Sequence, residues 1–205
     1  MHSCCHFLVL GITGGIACGK SEVGRILKKR EFEVCDADRV AHELMKKGTS
    51  VYAQIVEAFG SEILHKNGEI CRPSLAKMVF ENSQKLNHLN RLVHPAVRQE
   101  LSSWIKEQRR KKQNAAVLLP LLFESEMDDL DWDAIWTISA LEKQVLARLA
   151  KRGLSKTEAL ARIGAQMPLQ EKERKANFVI KNNGSLEILE KQIDYILKQT
   201  RAGMQ

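Results

Sequence analysis

Gly14-Gly15-Ile16-Ala17-Cys18-Gly19-Lys20-Ser21 satisfies the pattern G-x-x-x-x-G-K-[ST] at every required position. Glycines at that spacing let the backbone curl so that successive N–H groups converge on phosphate oxygens. A helix starting at the end of the loop adds its positive N-terminus and its unpaired N–H groups. Lys20 is then the point charge for β- and γ-phosphates, and the Ser21 hydroxyl is a ligand for Mg²⁺. The amide of Glu22 comes within reach of an α-phosphate, which requires its own carboxylate to turn away. The chemistry is nucleoside triphosphate binding, with the triphosphate held along Gly14 to Glu22; the pattern says nothing about an acceptor. A second pair of chemical groups, Asp36 and Asp38, follows the next short apolar run. Residues two apart on a strand share a face, so both carboxylates could address one site, one taking a proton from an attacking hydroxyl and one holding Mg²⁺ through water. The plain alternative is a solvated loop with an aspartate capping the next helix.

Elements able to position these groups are legible in the pattern. Phe7 to Ile12 is a short, partly β-branched apolar run that enters the glycine turn, so it predicts a buried strand. Val23, Ile26 and Leu27 recur at helical spacing after Lys20. Further strands are expected at 33–36, 115–119, 134–138 and 177–180, and helices at 141–152, from Ser155 onward behind a Ser155/Glu158 capping box, and from Ser185 to about residue 200. Between them, residues 39–110 predict helices near 40–46, 51–59, 74–80, 83–93 and 95–110, with turns at Gly48, Asn67-Gly68 and Pro95. Strands alternating with helices imply an α/β fold: a five-stranded parallel sheet covered on both faces, formed by residues 1–38 and 111–205, with 39–110 as a helical insertion.

Composition narrows the class. The chain has 205 residues, 44% hydrophobic and 28% charged, which is globular composition and excludes wholesale disorder. Its longest uncharged apolar run, 115–123, is too short for a bilayer span. The start lacks the features of a secretory signal, and five cysteines without a C-x-x-C pair fit a reducing compartment, so a cytoplasmic location is expected. A net charge of +7 suggests an anionic partner. The run Arg109-Arg110-Lys111-Lys112 suits a helix C-terminus, and with aromatics at only 5% no stacking platform for single-stranded nucleic acid accompanies it. His2, Cys4, Cys5 and His6 match no structural zinc spacing.

The ordered set of motifs closely resembles the bacterial dephospho-coenzyme A kinases. Gly14 to Ser21, Asp36-Ala37-Asp38, Phe59-Gly60, Gly68, Arg72, Leu89-Asn90, His94-Pro95, Pro120 to Glu124, Gln144, Arg148, Arg152, Gln166 and Asn182-Asn183-Gly184 fall in the family's order from about residue 8 to 198. The resemblance implies transfer of the γ-phosphoryl group of ATP to the ribose 3′-hydroxyl of dephospho-coenzyme A, the last step of coenzyme A synthesis. It implies Asp38 as the base and the helical insertion as the acceptor-binding region, where Arg72, His94 and Arg98 would meet the acceptor. Glu124 becomes a further substrate-facing candidate. A lid near 142–170 carries Arg148, with Arg152 and Arg162 beside it, and Asn182 lies near the adenine. Catalytic roles thus fall on Asp38, Lys20 and Arg148, with Mg²⁺ as cofactor on Ser21. ATP and dephospho-coenzyme A are the partners, and neither nucleic acid, membrane nor an obligate protein partner is implied.

The sequence departs from the family where Ala17 replaces a glycine, Cys18 a serine and Glu22 a threonine. Weaker nucleotide affinity is the expected result. No aspartate ends the strand at Leu118-Leu119, leaving Mg²⁺ to Ser21, ATP and water, with Asp36 further out. Two rival readings remain: another small-molecule kinase sharing the loop and lid, and a nucleic-acid-linked ATPase suggested by the basic charge.

Overall fold

The apolar run after residue 7 has to shed both faces from water, and the computed structural model, which describes residues 7–80 and 82–203, shows how. Strand β1 (Val9–Gly14) is buried at all of its positions. It is the middle of a five-stranded, all-parallel sheet in the order β2-β3-β1-β4-β5, with β2 (Glu33–Asp36), β3 (Ala115–Leu118), β4 (Ala134–Ser139) and β5 (Phe178–Lys181). The register places Asp36, Leu118, Ile12, Trp136 and Phe178 in one row across the sheet. The segments leaving each strand therefore emerge at one edge, where ligands gather in open parallel sheets.

Helix α1 (Lys20–Lys28) buries Val23, Ile26 and Leu27, as their spacing predicts. Helix α9 (Leu186–Ala202) starts at Ser185, whose side chain accepts from the Ile188 amide, and buries Leu189, Ile193, Ile196 and Leu197. These residues join Leu8, Leu10, Ile12 and Trp136 in one apolar core. Helix α6 (Glu142–Ala150) buries Val145 and Leu149, while Ala150 is exposed. The Ser155/Glu158 capping box opens α7 (Lys156–Gly164) with both of its reciprocal bonds made. A short helix with no sequence signal, α8 (Leu169–Lys175), completes this part.

The chain divides into two compact units, one comprising residues up to Asp36 and from Ile105 onward, the other Ala37–Trp104. Asp38 thus falls in the helical unit rather than at the tail of the sheet segment. That unit holds α2 (Ala37–Leu44), α3 (Ser50–Phe59), a 3₁₀ turn at Ser61–Ile63, α4 (Arg72–Phe80) and most of α5 (Ser83–Arg110). Leu64 and Ile70 form an antiparallel bridge around the Asn67-Gly68 turn. Pro95, expected to separate two helices, lies inside α5 instead. Proline removes one backbone hydrogen bond, but burial of Val93, Val97 and Leu101 along one face keeps the helix continuous.

Gly14 is where the fold is least tolerant. Its φ is 139°, and a Cβ there would lie 2.1 Å from the backbone oxygen of Ile138 on β4. Gly14→Ala is expected to destabilise the protein by about 3 kcal/mol, because neither β1 nor β4 can yield without opening the sheet; chemical denaturation would measure it.

Candidate active site

A loop that offers its N–H groups to an anion must also find donors for its carbonyl groups. Here those donors come from two distant segments and from the loop's own lysine. The Arg148 guanidinium, on α6, donates from Nη1 to Ala17 O at 3.0 Å and Cys18 O at 3.2 Å, and from Nη2 to Asn182 O at 3.0 Å. Asn182, just past β5 and buried, donates from Nδ2 to Cys18 O at 2.8 Å. Lys20 Nζ donates to Gly14 O at 2.8 Å and Gly15 O at 2.9 Å. On the opposite side of the backbone, the Ile16 N–H donates to Gln166 Oε1 at 2.9 Å. Because α1 begins at Lys20, the N–H groups ahead of its first i→i−4 bond stand at its positive end, suited to a phosphate, although the Glu22 N–H already donates to Gly19 O at 3.0 Å.

Two of the three departures now have a conformation. Ala17 has φ 56°, the left-handed region that an alanine enters at a cost of about 1 kcal/mol. The Glu22 carboxylate turns along α1 and accepts from Arg25 Nε and Nη2, which holds its pKa below the usual carboxylate value. Its charge is directed to Arg25. The Cys18 thiol is buried, and burial pushes its pKa up despite Lys20 and Arg148 nearby, so it stays neutral at neutral pH.

Arg148, expected in a catalytic role on the lid, and Asn182, expected near the adenine, both engage the loop backbone in this structure. Arg152 and Arg162 are exposed. Glu124, expected to face the acceptor, is tied inside the sheet unit: its Oε1 meets Lys172 Nζ at 2.7 Å and accepts from the Met167 N–H at 3.0 Å. Lys172 is fully buried and also donates to Pro120 O at 2.7 Å, the carbonyl that accepts from Thr13 Oγ1 at 3.3 Å. Glu124 Oε2 is buried with no hydrogen-bond partner among the described residues. The sequence reading missed Lys172 altogether, since it sits in the polar run LQEKERK. Gln166 was visible only as part of the motif set, with no role attached.

The carboxylates after β2 do not share a strand face. Asp36 ends β2, whereas the backbone turns helical at Ala37, so Asp38 sits exposed in the first turn of α2. A carboxylate there suits the positive end of the helix. Arg72 is the exposed first residue of α4. His94 and Arg98 are half-buried one turn apart on α5, and burial lowers the His94 pKa. Ser21 lies in the first turn of α1. Among the described residues no group of three or more His, Cys, Asp and Glu is arranged to hold a metal ion, and the four-residue cluster at His2 to His6 lies outside the described residues. The basic run at the end of α5 is largely neutralised: Arg109 pairs with Asp131 and Asp133, and Arg110 and Lys111 with Glu107, whose pKa falls to about 2.

Two consequences can be measured. Arg148→Met removes a charged donor from three carbonyls, about 2 kcal/mol, and is expected to weaken ATP binding about thirtyfold in a titration with little loss of fold. Lys172→Met leaves Glu124 buried without its cation and is expected to cost about 3–5 kcal/mol in unfolding experiments. Pairing it with Glu124→Gln should recover part of that loss.

Comparison with known proteins places this geometry. The dephospho-CoA kinase family model matches residues 8–187. The curated dephospho-CoA kinase of Carboxydothermus hydrogenoformans is 45% identical over 193 residues, covering 93% of each chain. The solved dephospho-CoA kinase from Campylobacter jejuni superposes with a TM-score of 0.70 at 26% identity, over 96% of this chain and 98% of that one. A shikimate kinase from Acinetobacter baumannii shares the fold at a TM-score of 0.58 and 13% identity, over 96% of this chain and 94% of that one. With the phosphate loop, its carbonyl donors and the helical unit all inside the matched stretch, this chain belongs to the dephospho-CoA kinase family.

Proposed function

We propose that the protein transfers the γ-phosphoryl group of ATP to the ribose 3′-hydroxyl of dephospho-coenzyme A, giving coenzyme A and ADP. The observation that carries this reading is the family match over residues 8–187, which spans both the phosphate loop and the helical unit. Loop amides and the first turn of α1 cradle the triphosphate, while Lys20 leaves the Gly14 and Gly15 carbonyls to meet the β- and γ-phosphates. Arg148 acts first by holding the loop in shape; its charge also favours an anion there.

Asp38 is the base: its carboxylate accepts the 3′-hydroxyl proton as the oxygen bonds to the γ-phosphorus and the bridging β–γ oxygen leaves with ADP. Mg²⁺ would be held by ATP oxygens, water and the Ser21 hydroxyl, and when bound it neutralises phosphate charge. His94 and Arg98 are candidate acceptor contacts on α5. Glu124, bound to Lys172, is better suited to shaping the exit from β3 than to gripping substrate.

Among the described residues no helix is long and apolar enough to cross a membrane; the cytoplasmic reading is supported by five cysteines without a C-x-x-C pair, a pattern that fits a reducing compartment. The self-neutralised end of α5 argues against a nucleic-acid-driven ATPase. The test is ADP release with ATP and Mg²⁺, comparing dephospho-coenzyme A with adenosine, nucleoside monophosphates, single-stranded nucleic acid and no acceptor. ADP release only with dephospho-coenzyme A, with coenzyme A as product, is expected; turnover with another acceptor would overturn the assignment. Asp38→Asn should lower kcat by about a hundredfold or more and leave ATP affinity unchanged, whereas an unchanged kcat would remove Asp38 as the base.

A further inference from the structure

Gln166 meets the phosphate loop in the opposite sense to Arg148, Asn182 and Lys20. Those three donate to loop carbonyls, whereas Gln166 Oε1 accepts from the Ile16 N–H at 2.9 Å. The other half of that peptide group, the Gly15 carbonyl, accepts from Lys20 Nζ at 2.9 Å and from the Cys18 N–H at 3.3 Å. One peptide group early in the loop is therefore held at both ends. The loop's own residues grip the carbonyl, and a residue 150 positions away grips the amide. When Lys20 turns to a triphosphate it gives up its share of the carbonyl end. The bond at the amide end does not involve Lys20 and persists.

The backbone that presents Gln166 is fastened on both sides. Its own N–H donates to Ile163 O at 3.2 Å, extending the last turn of α7. The next N–H, of Met167, donates to Glu124 Oε1 at 3.0 Å, and that carboxylate is held by the fully buried Lys172. Leu169 reaches the loop as well, since a Cβ added at Gly15 would lie 3.8 Å from its Cδ1. A glutamine side chain loses rotamer freedom when it is fixed, but here the chain on either side of it is already ordered. A loop whose peptide groups are oriented before the ligand arrives has less ordering left to do on binding.

We propose, on the reading of the chain as a dephospho-coenzyme A kinase, that Gln166 is a positioning residue for ATP: it clamps the Gly15–Ile16 peptide so that the loop keeps its curl when Lys20 leaves for the phosphates. Gln166 acts through the Ile16 N–H and touches no phosphate itself. The end of α7 and the phosphate loop are thereby joined by one side chain.

Calorimetric titration of the full chain with ATP and Mg²⁺, without acceptor, tests the clamp in Gln166→Met and Gln166→Glu, together with amide hydrogen exchange at Ile16 and the thermal midpoint. Gln166→Met keeps the length of the side chain and loses the acceptor. It is expected to weaken ATP binding about fivefold, the worth of one neutral hydrogen bond, and to speed exchange at Ile16. The thermal midpoint should fall by no more than about 2 °C. In the steady state the same variant should raise KM for ATP and leave kcat unchanged, because the clamp serves ground and transition states alike. Gln166→Glu keeps an acceptor oxygen and should recover part of the affinity and slow the exchange again. Unchanged ATP affinity in Gln166→Met overturns the proposal, as does a loss that comes with a larger fall in the thermal midpoint or that Gln166→Glu leaves unrecovered. No acceptor enters the titration, so an unsubstituted chain that binds ATP without phosphorylating dephospho-coenzyme A would overturn the substrate assignment and leave the clamp standing. A chain that binds no ATP would overturn both.

Discussion

A phosphate loop is a conflict between two halves of the same peptide group. Turning N–H groups toward an anion turns carbonyl oxygens away from it, and those oxygens need donors of their own. In this protein Arg148, Asn182 and Lys20 meet that demand at Ala17, Cys18, Gly14 and Gly15. The donors come from α6, from the end of β5 and from the first residue of α1. The shape of one eight-residue loop thus depends on the order of the strands, since only the β1-β4-β5 arrangement brings residue 182 and residue 18 together. Gly19 adds a steric condition: with φ 110°, a Cβ there would lie 2.1 Å from Asn182 Nδ2.

The exit from β3 is fastened differently. Lys172 is fully buried, so its charge has lost its hydration, a loss recovered only through close partners. Glu124 and the Pro120 carbonyl supply them, and the Met167 N–H engages the same carboxylate oxygen. With Gln166 bound to Ile16, the segment leading into α8 holds both the phosphate loop and the end of β3. A buried ion pair adds little net stability, but its demands for partners are strict. It fixes one arrangement of these segments rather than a family of near-equivalent ones.

Charge follows the same economy of position. The net charge of +7 does not form a general polycationic surface at the end of α5, because Asp131, Asp133 and Glu107 neutralise the cations there. In the helical unit Arg72 has no hydrogen bond or ion pair among the described residues, and its charge is felt at Glu43.

Local rules determined much of this protein from the sequence. The run after Phe7, the spacing of Val23, Ile26 and Leu27, and the caps at Ser155 and Ser185 depend on neighbours within a few residues, and all appear in the structure. The phosphate loop was legible for the same reason: its glycines and lysine act through the backbone next to them. Local rules failed where distant parts settle the outcome. Pro95 looked like a break, yet burial of one face of α5 carries the helix through it. Asp36 and Asp38 looked like strand neighbours until α2 began between them. Helix α8 and Lys172 had no apolar periodicity to announce them, because Lys172 enters the interior through an ion pair with a residue 48 positions earlier. Arg148 could be nominated from the motif order, but its work on the loop carbonyls depended on tertiary structure. A hydrogen bond across more than a hundred residues exists only after the sheet has assembled, and no local pattern encodes it.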